Sequence, residues 1–488
     1  MSEKREILES VLEEFGKLAA IPRKSGHEKA VSDFLKEYLK EAGFSVVQDE
    51  VFNIIADKPA SPGFEKAPRV ILQGHMDMVC VAEEGYDYDP LKDPIRLKRG
   101  EEFLEAEGTS LGADDGIGVA EAIYIMKMLK DHGPLRLLVT VDEEQGMNGA
   151  VHLDPKYLLD AEFLINCDSE NYDELTMGCA GSVTLDFFRE IAWVPGKAKK
   201  AYSIEVSGLK GGHSGERIGD GRGNAIRVLA GVLRSLGKRG RVELASFRGG
   251  KARNAIPAEA KAILATDLSE EEIRAVLKEE EDRFHRMYGE ADGELQLRLT
   301  ETVLPAKVWS EADTTSLLQL IQILHSGVYA MNQRIPGLVE TSANLGVATT
   351  DENGIFLQYL PRSASDDKID EFCQTAEDWA VLTGFRLTCS AKSPGWKENK
   401  DSRLAKLMAE VFQQQNGFPM KVCLIHAGLE CGCHFHKNPN LDIVSIGVTT
   451  LDIHSPKERL LLSTVEPQVK LIMETLHRIA KMDGFSSQ

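Results

Sequence analysis

Apolar residues recur along this chain with two periods, and each change of period marks a change of element. In MSEKREILESVLEEFGKLAA the spacing is near 3.6 residues, and the same holds over 28–42. Both stretches predict amphipathic helices, 2–20 and 28–42. SVVQDEVFNIIA (45–56) reads as a pair of strands, and RVILQG (69–74) is a short β-branched apolar run. LRLLVTV (135–141) and EFLINC (162–167) are further short apolar strands. Between them, DGIGVAEAIYIMKMLKDHG (115–133) sets Ile117, Ala120, Ile123, Tyr124 and Met128 on one helical face, and Gly133-Pro134 ends it. Strands alternating with helices predict an α/β fold: a mixed, mostly parallel sheet with helices on both faces.

The rhythm changes at AWVPGKAKKA (192–201), a Pro/Gly/Lys stretch that reads as a linker. AYSIEVSG and EAKAILATDL read as strands on either side of a helix at 225–236. SEEEIRAVLKEEEDRFHRMYG reads as a charged helix whose acidic run is its solvated face. A helix at 311–330 and a strand GIFLQYLPRS follow. After PGW (394–396) the first rhythm returns, with a helix at 401–415 and the apolar strand LDIVSIGV (441–448). The expected organisation is a catalytic domain, 1–190 and 391–488, interrupted by an inserted α+β domain, 191–390. The insert is long enough for two small α+β units.

A chain of 488 residues exceeds one compact core, in keeping with that division. A formal net charge of -20 argues against nucleic acid as a partner, because phosphate is repelled. No apolar stretch approaches the roughly 18 residues of a membrane helix. The N-terminus lacks the apolar core of a signal peptide, so a cytoplasmic protein with no membrane partner is expected. In that setting the eight scattered cysteines read as free thiols.

Open parallel sheets build sites at the carboxyl ends of their strands. RVILQG is followed by His75-Met76-Asp77, LRLLVTV by Asp142-Glu143-Glu144, and EFLINC by Asp168. LDIVSIGV leads to a loop with Asp452 and His454, and the glycine-rich LGADDGIG offers Asp114 and Asp115. A single acid after a strand is usually a cap or turn residue. Five such ends together repel one another unless a cation sits among them. Two histidines and three carboxylates suit two zinc ions with one carboxylate bridging. Three carboxylates and a hydroxide then balance the four positive charges. In His-Met-Asp, residues i and i+2 share a face, so Asp77 can orient His75 through its second ring nitrogen. Adjacent acids point in different directions, so Glu144 is assigned as a ligand, Glu143 as general base and Asp142 as structural. Asp115 is expected to cap the helix that follows it. CGCHFH (431–436) lacks C-x-x-C spacing and reads as packing thiols and loop histidines.

Together, QGHMDMV, GTSLGADDGIGVA, TVDEEQGMNGA, INCDSE, GCAG, GLKGGHSGERI, RNAIP, HAGLECG and DIHSP resemble the co-catalytic di-zinc metallopeptidases related to aminoacylase and carboxypeptidase G. Within that family they resemble the Xaa-His dipeptidase branch, also called cytosol non-specific dipeptidase or carnosinase-like. The motifs follow family order across nearly the whole chain. The resemblance implies that His75 and Asp168 complete one zinc site and Glu144 and His454 the other, with Asp114 bridging. It implies a cis Asp114–Asp115 peptide and makes the inserted domain a lid. His213 matches the lid histidine that polarises the scissile carbonyl, with a turn histidine as the other reading. Asn254 and Arg362 resemble lid residues that hold substrate. Arginine suits a peptide carboxylate, although Arg362 could equally be a surface arginine. Gly428 and Glu430 line the substrate side in relatives. In many relatives the lid histidine is donated across a homodimer; a doubled lid could supply it within one chain.

The function implied is zinc-dependent hydrolysis of dipeptides, of broad specificity or of the Xaa-His type, by a metal-bridging hydroxide with Glu143 as base. Manganese or cobalt could substitute, since such ligands accept several metals. The alternatives are an aminoacylase acting on N-acyl amino acids, a peptidase for longer peptides, and a non-catalytic binding protein on the same scaffold.

Overall fold

The computed structural model describes residues 3–333, 335–390 and 392–482. The chain divides into two compact units, one of Met1–Gly178, Trp396–Leu424 and Leu429–Gln488, the other of Cys179–Gly395 and Ile425–Gly428.

The first unit is built on an eight-stranded sheet. Its order is Ser45–Gln48, Ile54–Lys58, Leu135–Thr140, Val70–His75, Phe163–Asn166, Asp442–Ser445, Glu174–Cys179, Lys421–Ile425. The four central strands, from Leu135–Thr140 to Asp442–Ser445, run parallel, whereas Ser45–Gln48 with Ile54–Lys58, Ile54–Lys58 with Leu135–Thr140, and Asp442–Ser445 with Glu174–Cys179 pair antiparallel. Every residue of Val70–His75 and of Leu135–Thr140 is buried, so both faces of the sheet are covered. That explains why these strands read as continuous apolar runs rather than alternating ones. The helix Ala113–Met128 is apolar nearly all round and packs on Val70–His75, between the sheet and the helix Glu3–Ala19.

The first helix runs Glu3–Ala19; Ser2 lies outside the described residues. The helix expected to reach residue 133 ends at Met128, where Lys58 Nζ takes the carbonyls of Met126 and Leu129. Its first turn is also broken, because Asp114 and Asp115 have non-helical backbone and the peptide between them is cis.

The second unit carries a ten-stranded antiparallel sheet. One part holds Lys200–Ser207, Val242–Gly249 and Ala260–Thr266, covered by the helices Ala225–Arg239 and Glu270–Tyr288. The other holds Val339–Thr350 and Gly354–Ser363, with the helices Glu311–Ile323 and Asp366–Thr383. The two parts meet at the single pair Gly249–Ala348. The helix expected over 311–330 stops at Ile323 because Arg227 caps the carbonyls of Ile321 and Leu324. Gly327–Met331 is then a strand beside Val339–Thr350. Among the described residues, no helix is long and apolar enough to cross a membrane.

Candidate metal centre

His75 is the last residue of a central strand and is almost wholly buried. Its Nδ1 lies 3.3 Å from Asp77 Oδ1. Its Nε2 lies 3.1 Å from Asp114 Oδ1 and 3.5 Å from Asp168 Oδ1. Across the centre, His454 Nε2 lies 3.0 Å from Asp114 Oδ2 and 2.9 Å from Glu144 Oε1. The Asp114 carboxylate thus stands between two imidazoles, one oxygen facing each. Each imidazole also faces a second carboxylate of its own.

Local backbone explains how five distant segments deliver these groups. Asp142 has φ of 54°, a left-handed turn that lifts the chain off the strand Leu135–Thr140. Glu143 and Glu144 follow it, and both their N–H groups donate to Asp77, at 3.1 and 3.4 Å. Asp77 therefore fixes the His75 ring and the Glu143–Glu144 turn at once, with Ser25 Oγ donating to its Oδ2. Asp142 itself binds Glu28 through its N–H and Asn148 through its carboxylate, a structural part. Asp452 and His454 are left-handed too, and such residues gather where a site over-determines the backbone. Asp115 does not cap the following helix; its Oδ2 accepts the His75 N–H at 3.1 Å. This requires close approach at Gly74, where a Cβ would sit 2.2 Å from that oxygen.

The electrostatics show a shortage of positive charge. Burial pushes Asp168 up to about 6, although the nearby His75 imidazole opposes the rise. Burial also raises Glu143 and Glu144, with neighbouring carboxylates adding to the effect. Asp114 is raised by burial too, but the two imidazoles outweigh that and hold it well below the carboxylate range. Among the described residues no lysine or arginine pairs with Asp114, Glu143, Glu144 or Asp168. Burial lowers both imidazoles, but the carboxylates around them outweigh it and raise them, His454 to about 11. In the metal-free centre protons on the two Nε2 atoms therefore balance part of the carboxylate charge, and a cation bound there would take their place. One donor atom each from His75, Asp114 and Glu144 lies within 4.8 Å of the others, so the residues fit divalent metal.

Glu430, expected on the substrate side, has no exposed surface. Its Oε2 accepts from Gln73 and Thr140, each at 2.6 Å, and burial raises its carboxyl to about 8. It belongs to the floor of the centre. His434, read as a loop residue, sits in the helix Glu430–Lys437, buried and without a ring hydrogen bond.

Two residues outside the expected set organise the loop before Asp114. Glu458 Oε2 accepts the N–H groups of Leu111 and Gly112 at 2.8 and 2.9 Å, and Oε1 those of Ala113 and Asp114 at 2.8 and 3.2 Å. Arg23 donates to the carbonyls of Met76 and Asp77, each at 3.1 Å, and to that of Gly112 at 2.5 Å.

In the second unit, His213 pairs with Ala255 on a short ribbon, beside the exposed Asn254. Its Nδ1 lies 3.5 Å from Glu216. Arg362 is only 8% exposed, and burial together with the Arg253 charge lowers it to about 10. No acid among the described residues pairs with it. Burial also lowers His426 to about 4, with Arg362 adding to the effect, and its Nε2 lies 2.7 Å from Ser342 Oγ. Gly428 is two residues further on and partly exposed.

The sequence pattern of peptidase family M20/M25/M40 matches residues 71–478. The chain belongs to that family. This M20 peptidase is 34% identical over 469 residues to the cytosol non-specific dipeptidase of Escherichia coli K12, covering 95% of this chain and 96% of that one. Its fold is similar to the aminoacylhistidine dipeptidase of Vibrio alginolyticus, with a TM-score of 0.82, 34% identity and 96% of each chain covered. Human carnosine dipeptidase 1, at 14% identity and a TM-score of 0.52, shares the fold. Members of the M20 peptidases are metal-dependent, and the donors His75, Asp114 and Glu144 suit a metal ion.

Proposed function

We propose that this M20 peptidase hydrolyses dipeptides with two zinc ions, which manganese or cobalt could replace. The observation that carries the reading is the Asp114 carboxylate shared between two imidazoles, each with a second carboxylate beside it. His75 and Asp168 would hold one ion, Glu144 and His454 the other, and Asp114 both. When bound, the ions supply Lewis acidity for the scissile carbonyl and a nucleophile at neutral pH.

The remaining chemistry belongs to the chain. Glu143, raised by burial, is suited to take a proton from water and pass it to the leaving amine. Asp77 keeps the His75 ring in one tautomer and orientation. Arg362, buried and without an acid partner, is suited to the substrate's C-terminal carboxylate through a charge-assisted pair. His213 would hydrogen-bond the carbonyl oxygen, and Asn254 and Gly428 would hold the substrate backbone. The second unit, in this reading, is the lid. The two relatives that are 34% identical over nearly their whole length are named dipeptidases, which favours this activity over an aminoacylase. The name of the Escherichia coli relative also supports a cytosolic location.

The test is hydrolysis of β-Ala-His, Leu-Gly, Leu-Gly-Gly and N-acetyl-Leu by zinc-loaded protein, with Glu143→Gln in parallel. The dipeptides alone should be cleaved, and the variant should lose about 10²–10⁴-fold in kcat while still binding metal. Cleavage of N-acetyl-Leu would move the protein to the aminoacylases. Cleavage of Leu-Gly-Gly at a rate like Leu-Gly would make it a peptidase of wider reach.

A further inference from the structure

We infer that Arg23 and Glu458 are positioning residues that set the three metal-bearing loops before any ion arrives. The inference rests on the metallopeptidase reading above.

The two side chains grip the same short segment from opposite sides. Glu458 takes four consecutive N–H groups, 111 to 114, two on each oxygen. Four successive N–H groups converge on one carboxylate only if the backbone leaves regular helix and strand, and Gly112 supplies that turn with φ of 68°. Arg23 takes the Gly112 carbonyl, so the peptides on both sides of that residue are fixed. A Cβ at Gly112 would come within 2.5 Å of Arg23 Nη2, so guanidinium and loop are packed together.

Three loops are tied as a result. Arg23 also holds the carbonyls of Met76 and Asp77, in the turn just after His75. Glu458 closes the segment that carries His454. The Asp114 N–H, on the residue between the two imidazoles, is one of the four that Glu458 holds. Arg23 is 1% exposed and Glu458 3%, and their opposite charges act on each other out of reach of solvent and salt. Neither makes a hydrogen bond to an imidazole nitrogen or to a ligand carboxylate. They act on backbone, and through it on where three donors stand.

The test uses full-length metal-free protein: the parent, Glu458→Gln and Arg23→Lys. Each is titrated with Co²⁺, read by its visible absorption, and with Zn²⁺ against a chromophoric chelator. Urea unfolding of the metal-free forms is measured beside them. Glu458→Gln keeps one acceptor oxygen and turns an NH₂ toward two N–H groups. Lysine cannot span the three carbonyls that arginine holds. Both variants should bind metal about 10- to 100-fold more weakly, with an altered Co²⁺ spectrum and lower kcat at saturating metal. A folded Glu458→Gln with parent affinity and parent spectrum would overturn the inference, even if its urea midpoint fell. Should Glu458→Gln fail to fold, Arg23→Lys decides by the same two readouts. A parent that binds fewer than two ions per chain would instead bring down the metallopeptidase reading.

Discussion

Replacing Arg362 by methionine separates substrate anchoring from structural pairing. The guanidinium is lowered from 12.5 to about 10, mainly by burial. That lowering corresponds to roughly 3 kcal/mol against carrying the charge in the free protein. The cost is present at all pH values below about 10 and is relieved only above it. Methionine removes the charge and keeps much of the volume, so the free protein should gain up to about 3 kcal/mol at neutral pH, less whatever contacts the guanidinium makes. Catalysis should move the other way. A hydrogen bond to a charged group is worth about 1.5–3 kcal/mol, so kcat/KM for Leu-Gly should fall about 10- to 150-fold. The decisive control is Leu-Gly amide, which has no carboxylate. The parent should cleave it as poorly as the variant cleaves Leu-Gly, and the variant should treat the two substrates alike. Urea unfolding gives the stability change and initial rates give the other. A variant destabilised by 2 kcal/mol or more, or one that still prefers the free acid by the parent's ratio, would refute the anchoring role.

Two further outcomes follow from the centre and from the helix beside it. Asp114→Asn should lose both metal ions together rather than one, read by metal analysis after gel filtration, because its two oxygens serve different imidazoles. Retention of one tightly bound ion would contradict the shared ligand. His434 is held neutral by burial, its pKa lowered from 6.5 to about 3. The unfolded chain therefore binds the extra proton between those values, and stability must fall as pH drops through that window. From pH 7 to 5.5 this histidine accounts for about 1.3 kcal/mol, so His434→Gln should flatten the pH dependence of the urea-derived unfolding free energy by that amount. An unchanged slope would mean that His434 has a partner in solution.

Much of the centre was legible because its motifs are local. An acid or histidine directly after an apolar run needs only the rule that open sheets place sites at strand ends, and His75, Glu144 and Asp168 are of that kind. Arg23 and Glu458 were not legible, since each lies in a run of polar residues, PRKSG and SPKER, that reads as surface. Their burial depends on backbone groups 53 and more residues away. The strand Val339–Thr350 was missed for a related reason. TSANLGVATT shows no alternation, and its Asn344 is buried because it donates to the carbonyls of Arg253 and Ala255. The helices expected over 115–133 and 311–330 ran long because the side chains that end them, Lys58 and Arg227, come from elsewhere in the chain.

The parallel pairing of Phe163–Asn166 with Asp442–Ser445 has a consequence for synthesis. One half of the centre, with His75, Asp114, Glu144 and Asp168, leaves the ribosome early. His454 and Glu458 come after the whole second unit has been made. Until then Asp114 has one of its two imidazole neighbours and no Glu458 carboxylate for its loop. If these residues hold the metal as proposed, the centre can be completed only once translation of the first unit is nearly finished.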